Sequence, residues 1–306
     1  MSTTPRHFLQ FDAEEHMVIC SHMDLRTILT LRATSHRTMY AVAAMLRLNL
    51  ERLCEPYLPR APSFLNALDR LGGFIGGVVA ASFLIRQVPA RSAPLEVFVS
   101  WENWAAMVDE LNGNQGCGMG HITQAEDDYM ENWLERHAVE SSTPFFTPTG
   151  REIVLYESTT SDALAPIACR SSTVEVAYVN PIYFGTGYAH LTLARRGLVA
   201  DPRAESDSVD VVEKWGRWGV DVRFSPKEWK EYQRMACAAG VGLCPFQLRT
   251  FTDGTSMRCR MVPLATGPLT SKVGWRLAAR RCGVECRGVD GLGSAANFID
   301  KFVNID

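Results

Sequence analysis

The sequence predicts an α+β fold, with an N-terminal three-helix module followed by a mixed sheet flanked by helices. Three observations carry that expectation. Residues 12–58 keep a helical spacing of apolar side chains, punctuated by Asp and Ser at capping positions. From about residue 63 the period changes. Runs rich in Val and Ile, such as "REIVLYES" and "STVEVAYV", then alternate with helical segments. The expected division is a helical module over 1–60 and an α/β domain over 61–306, the latter ending in an irregular, Cys-containing part.

The elements follow in order. "DAEEHMVICSHM" is a short helix with Asp12 at its cap. "DLRTILTLRATS" starts on Asp24 and places Leu25, Ile28, Leu29 and Leu31 on an apolar face. "SHRTMYAVAAMLRLNLERLCEPYL" is a longer helix capped by Ser35 and ending near Pro56. Pro59 and Pro62 mark a linker, and a helix over 63–70 follows. "GGFIGGVVAASFLI" is an apolar helix entered through glycines, where Gly76, Gly77 and Ala80 permit close packing on a strand. "LEVFVS" is that strand, and "WENWAAMVDEL" is a helix with an acid in its first turn.

"NGNQGCGMGH" reads as a flexible glycine-rich loop, lacking the lysine of a phosphate-binding loop. "TQAEDDYMENWLERHAV" reads as a helix with an acidic exposed side. After the two Val- and Ile-rich strands, "AHLTL" reads as a further strand and "DPRAESDSVDVV" as a mobile polar insert. "SPKEWKEYQRMACAAG" is expected to be a helix capped by Ser225. Two short strands about a "TDGT" turn open the tail.

Composition narrows the function classes. At 306 residues, with 46% hydrophobic and 21% charged side chains, the chain can bury a sizeable core. A net charge of −3 gives no general attraction to nucleic acid or to an anionic membrane, so neither is expected as a partner. The longest apolar stretch is too short and too rich in glycine to span a bilayer. "MSTTPRHFLQFDAEEH" has neither the apolar run of a signal peptide nor the acid-poor character of an import presequence. Nine cysteines, an odd number, then read as reduced thiols, and the expected location is cytoplasmic or nuclear.

The segment "FDAEEHMVICSHMDLRTILTLRATSHRTMYAVAAML" resembles an F-box, the three-helix motif that docks on the Skp adaptor of cullin-type ubiquitin ligases. The acidic first helix, the "MDLRTILTLRATSHR" centre and the small-residue third helix carry the likeness. Phe11-Asp12 stands where the family usually has Leu-Pro, and Met39 or Tyr40 where it has tryptophan. The resemblance implies a Skp-type adaptor as partner, with Leu25, Ile28, Leu29 and Leu31 as the docking residues. The alternative is a helical cap packed on the main domain.

Most of the chain after residue 60 resembles fungal proteins, mainly from mushrooms, that couple such a module to a nucleotidyltransferase-like fold. The likeness rests on the order of "GGVVAASFL", "PLEVFVS", "STVEVAYVNP", "AHLTLARRG", "CAAGVGLCPFQLRTFTDGTSM" and "WRLAARRCG". Nucleotidyl transfer uses two metal ions about 4 Å apart, held by carboxylates at alternate positions of one strand and by a third from a neighbour. The resemblance maps those positions onto Pro94, Glu96 and Glu175. Proline cannot ligate a metal, and Gly76-Gly77 replaces the usual glycine-serine. His190, in "YAHLTL", falls near the Glu175 strand in such a fold.

The expected function is therefore that of a non-catalytic interaction protein recruiting an unknown target, with no cofactor. Glu96 and Glu175 would then face solvent or pair with Arg91 or Arg151. The alternative is a magnesium-dependent nucleotidyltransferase, or a protein binding a nucleotide or another small molecule, with Glu96 and Glu175 on Mg²⁺ and Gly76, Gly77 and His190 at the ligand. A separate metal hypothesis concerns Cys237, Cys244, Cys282 and Cys286, whose thiolates could hold zinc. The Cys-x-x-Cys knuckle is absent, Cys259 is an equal bystander, and buried free thiols are the commoner fate.

Overall fold

The computed structural model describes residues 12–120, 138–200, 205–263, 269–278, 281–283, 286 and 302–304. The expected helix over "TQAEDDYMENWLERHAV" falls almost wholly outside them. Three helices open the described chain: α1 (Ala13–Ser21), α2 (Leu25–Arg32) and α3 (His36–Cys54). Their starts are set by the side chains that the sequence offers as caps. Asp12 accepts from the Glu15 amide at 2.8 Å, Asp24 from the Thr27 amide at 2.7 Å, and Ser35 from the Thr38 amide at 3.2 Å. Pro62 does not sit in a linker. It occupies the first turn of α4 (Ala61–Arg70), where a missing amide hydrogen costs nothing.

An eight-stranded mixed sheet forms the body. Its strands are β1 (Phe74–Ile75), β2 (Leu95–Ser100), β3 (Gly118–Met119), β4 (Val139–Phe146), β5 (Glu152–Ser158), β6 (Ala177–Val179), β7 (Tyr183–Thr186) and β11 (Met257–Arg260). The order is β11-β7-β6-β1-β2-β5-β4-β3, and only β2 and β5 run parallel. Because β1 is antiparallel to both β2 and β6, those two strands point the same way on either side of it. Their amino ends, carrying Glu96 and following Glu175, therefore lie at one end of the sheet. The helix α5 (Gly77–Ile85) packs on β2 and β6 and starts at that same end. Every residue of α5 is buried, as its apolar sequence, interrupted only by Ser82, requires.

One apolar core runs across the expected boundary at residue 60. Leu25, Ile28, Val42, Met45, Leu46 and Leu50 of the helical module share it with Ile75, Val79, Leu95 and Val97 of the sheet region. Arg32 adds a polar tie, donating to the carbonyls of Arg260 at 2.5 Å and Met261 at 3.3 Å beside β11.

Several sequence expectations change in the folded chain. "STVEVAYV" is not one strand: Ser172 forms an isolated bridge, residues 173–175 turn, and only Ala177–Val179 joins the sheet. "AHLTL" is the short helix α8 (Ala189–Thr192), which follows α6 (Trp104–Asp109) and α7 (Ala165–Ala168) in the chain. "SPKEWKEYQRMACAAG" keeps the Ser225 cap but, instead of one helix, forms a 3-10 turn at Pro226–Glu228 and the start of another at Ala238–Val241. The described part of the polar insert is the helix α9 (Glu205–Gly216). Part of the glycine-rich loop pairs as β3 with β4.

The strands flanking "TDGT" do not pair with each other. The first, β10 (Arg249–Thr250), joins β12 (Val273–Trp275) and β13 (Phe302–Asn304) in a second sheet, while β11 joins β7. The buried Arg249 guanidinium fastens this crossover. It donates to Asp253 at 2.7 Å and to the carbonyls of Gly242 and Gly187, both at 2.5 Å. A third, two-stranded parallel sheet pairs β8 (Arg196–Leu198) with β9 (Asp221–Arg223).

Candidate functional site

The end of the sheet where β2 and β6 begin gathers Gly76, Gly77, Glu96 and Glu175. The two glycines make the sharp entry into α5. A Cβ on Gly76 would strike the Phe98 ring, and one on Gly77 would overlap the Glu96 carboxylate. Gly77 also has φ of 55°, a left-handed conformation that side chains disfavour. Glu96 thus lies directly over the first residue of α5. A carboxylate there is favoured by the positive end of the helix.

Both carboxylates are buried, and neither faces solvent nor meets Arg91 or Arg151 as expected. Glu96 is ion-paired with Arg170, which follows α7. Glu175, in the turn before β6, accepts from Lys214 Nζ of α9 at 2.9 Å. Arg91 is exposed, and the Arg151 guanidinium lies 4.5 Å from the centroid of the Tyr57 ring.

Aromatic rings frame the first pair. Phe98 of β2 and Tyr156 of β5 stack with centroids 4.8 Å apart, and the Arg170 guanidinium lies 5.1 Å and 4.9 Å from them. Lys214 Nζ lies 5.5 Å from the ring of the buried Trp215.

The electrostatics couple all four charges. Burial alone would raise the Glu175 pKa, but Lys214 and then Arg170 outweigh it and hold the carboxyl below its ordinary value. Burial would likewise depress both cations. Instead Glu175 and Glu96 hold Lys214 above the ordinary lysine value, and Glu96, Tyr156 and Glu175 raise Arg170. Burial first, and Glu96 second, push the Tyr156 phenol upward. Two carboxylates and two cations make a formally neutral quartet. The chain's own side chains thus balance the buried negative charge.

A cleft of about 630 Å³ opens beside this quartet, lined by Val78, Pro94, Lys214, Arg217 and Trp218 among others. Neither Glu96 nor Glu175 lines it. The Lys214 side chain, 40% exposed against 8% for Glu175, covers the approach to the second carboxylate. His190 lies on α8, exposed, and joins none of these contacts. In the helical module, Leu25 and Ile28 are buried in the shared core, whereas Leu29 and Leu31 are half-buried against it.

Arg170 and Lys214 are the members of this cluster that sequence reasoning misses. Lys214 had a signal: Val211 and Val212 at the end of the supposed polar insert and Trp215 just beyond it recur at helical spacing, and Val211 and Trp215 are buried. Arg170 is one arginine at the end of "ALAPIAC", with no pattern pointing to Glu96.

Compared with known proteins, the chain matches no family model, no curated protein and no solved structure.

Proposed function

We propose that this chain is a non-catalytic interaction protein. In this reading a nucleotidyltransferase-like domain, its acid positions closed by the chain's own cations, recruits a target protein. The F-box-like helical module docks a Skp-type adaptor of a ubiquitin ligase through the face that includes Leu29 and Leu31. The observation that supports the loss of catalysis is the pairing of Glu96 with Arg170 and of Glu175 with Lys214. With Pro94 at the remaining position, no open pair of carboxylates is left for two metal ions.

Calorimetric titration with the four common nucleoside triphosphates, with and without magnesium, tests this. No magnesium-dependent heat is expected. Binding that requires magnesium and is lost in Glu96→Gln would overturn the reading in favour of a magnesium-dependent nucleotidyltransferase. For the docking arm, purified Skp-type adaptor should co-elute with the chain and not with Leu29→Asp. Circular dichroism checks that this variant is folded, and a folded wild-type chain that never co-elutes removes the adaptor.

A second reading, capture of a small anionic molecule without turnover, is favoured by one observation. Lys214, Arg217 and Trp218 line the cleft, offering two cations and an indole face. Nucleotide heat that is independent of magnesium and falls in Arg217→Ala would select it.

A further inference from the structure

Four cysteines in the C-terminal part are used by neither reading. Cys237 and Cys244 flank the 3-10 turn Ala238–Val241, and Cys282 and Cys286 come from a segment far along the chain. The fold closes them into one cluster. Sγ–Sγ separations are 3.4 Å for Cys244–Cys286, 3.6 Å for Cys237–Cys286 and 3.7 Å for Cys237–Cys282. All four sulfurs lie within 4.8 Å of one another.

These distances select among the fates of a thiol cluster. A disulfide needs about 2.05 Å between sulfurs, and all four cysteines are free. A regular tetrahedron of sulfurs about 2.3 Å from a central zinc has edges of about 3.8 Å. The three observed edges fall at or just inside that length, so the cluster encloses the space of one ion. Three of the four cysteines are buried and Cys237 is half-buried, which suits a closed structural site with no open coordination position.

The surroundings suit the product as well. Binding Zn²⁺ to four thiols releases four protons and leaves a centre of net charge −2. The Ala238 amide donates to Cys282 Sγ at 3.5 Å, and the Lys227 ammonium lies over Gly283, the residue after Cys282. The amide places positive character beside a thiolate, the kind of outer support that tunes such centres. Cys259, which the sequence leaves as an equal bystander, sits in β11 opposite Phe184 and outside the cluster.

We propose that Cys237, Cys244, Cys282 and Cys286 bind one Zn²⁺ ion in a tetrahedral, purely structural site. The ion ties the segment around Ala238–Val241 to the C-terminal segment, two stretches of chain that bring two thiols each.

The test is metal analysis of the full-length chain, expressed with zinc and purified under reducing conditions without chelator. Close to one equivalent of zinc per chain is expected, and exchange with cobalt should give the intense visible bands of a tetrahedral thiolate centre. Cys282→Ser should lose bound zinc to background, while Cys259→Ser keeps it. Should Cys282→Ser fail to fold, the wild-type stoichiometry and cobalt spectrum still decide. Wild-type protein without zinc, a cobalt spectrum lacking those bands, or a native disulfide between any two of the four would overturn the proposal.

Discussion

Lys214 reaches from α9 to donate a 2.9 Å hydrogen bond to Glu175, a carboxylate buried at the turn before β6. The pairing makes stability depend on pH in a stated direction. Glu175 is held below its ordinary pKa, so its contribution is fully present above the unfolded glutamate value of about 4.3. That contribution is lost as pH falls through the folded value. Lys214, held above its ordinary value, contributes fully below about 10.4 and loses that contribution as pH rises through its folded value. Removing the ammonium raises the Glu175 pKa. Thermal unfolding followed from pH 3 to pH 9 should therefore show a smaller acid loss of stability in Lys214→Met than in wild type, because less of the variant's stability depends on an ionised Glu175. Superimposable acid limbs would refute the coupling.

Arg170 offers a sharper energetic test, because its partner is also buried. Arg170→Met leaves Glu96 as an uncompensated buried charge and should cost about 3–5 kcal/mol in urea unfolding. Arg170→Lys keeps the charge but loses the flat guanidinium that lies against Phe98 and Tyr156, so it should not restore wild-type stability. The double variant Glu96→Gln/Arg170→Met should be less destabilised than the sum of its singles. Strict additivity would mean that the two side chains do not act as a pair.

Gly77 tests the claim that Glu96 closes the turn. Gly77→Ala sets a side chain at φ of 55° and drives its Cβ into the Glu96 carboxylate. A loss of about 1–3 kcal/mol is expected from the backbone conformation alone, with the collision in addition. Gly113→Ala, where a Cβ meets nothing within 4 Å, serves as the control and should change stability little. Equal midpoints for the two variants in urea would count against the close approach.

The sequence made the helical caps and the buried strands legible because their causes are local. Asp12, Asp24 and Ser35 cap through amides three residues away, and "LEVFVS" and "REIVLYES" have the strand composition that their burial needs. The grouping of Gly76, Gly77, Glu96 and Glu175 was expected only through the resemblance, not from any local pattern. Their partners were not. Arg170 lies 74 residues from Glu96 and Lys214 lies 39 from Glu175, and no local pattern encodes either meeting. The error at "STVEVAYV" has a similar origin: the segment is buried throughout, so its apolar composition says nothing of the turn at 173–175.

Ile28 addresses whether the helical module and the sheet unfold as one. It belongs to α2, is fully buried, and shares its core with residues of β1, β2 and α5. All seven tryptophans lie beyond residue 100, so intrinsic fluorescence reports only on the sheet-containing part. Ile28→Ala deletes buried methyl groups and should cost about 2–5 kcal/mol. If one core carries both parts, the tryptophan signal should shift to lower urea together with the far-ultraviolet circular dichroism, in a single transition. A fluorescence midpoint that stays at the wild-type value while helical signal is lost earlier would mean that the module unfolds on its own. The face with Leu29 proposed for adaptor docking would then be offered to a partner without disturbing the sheet.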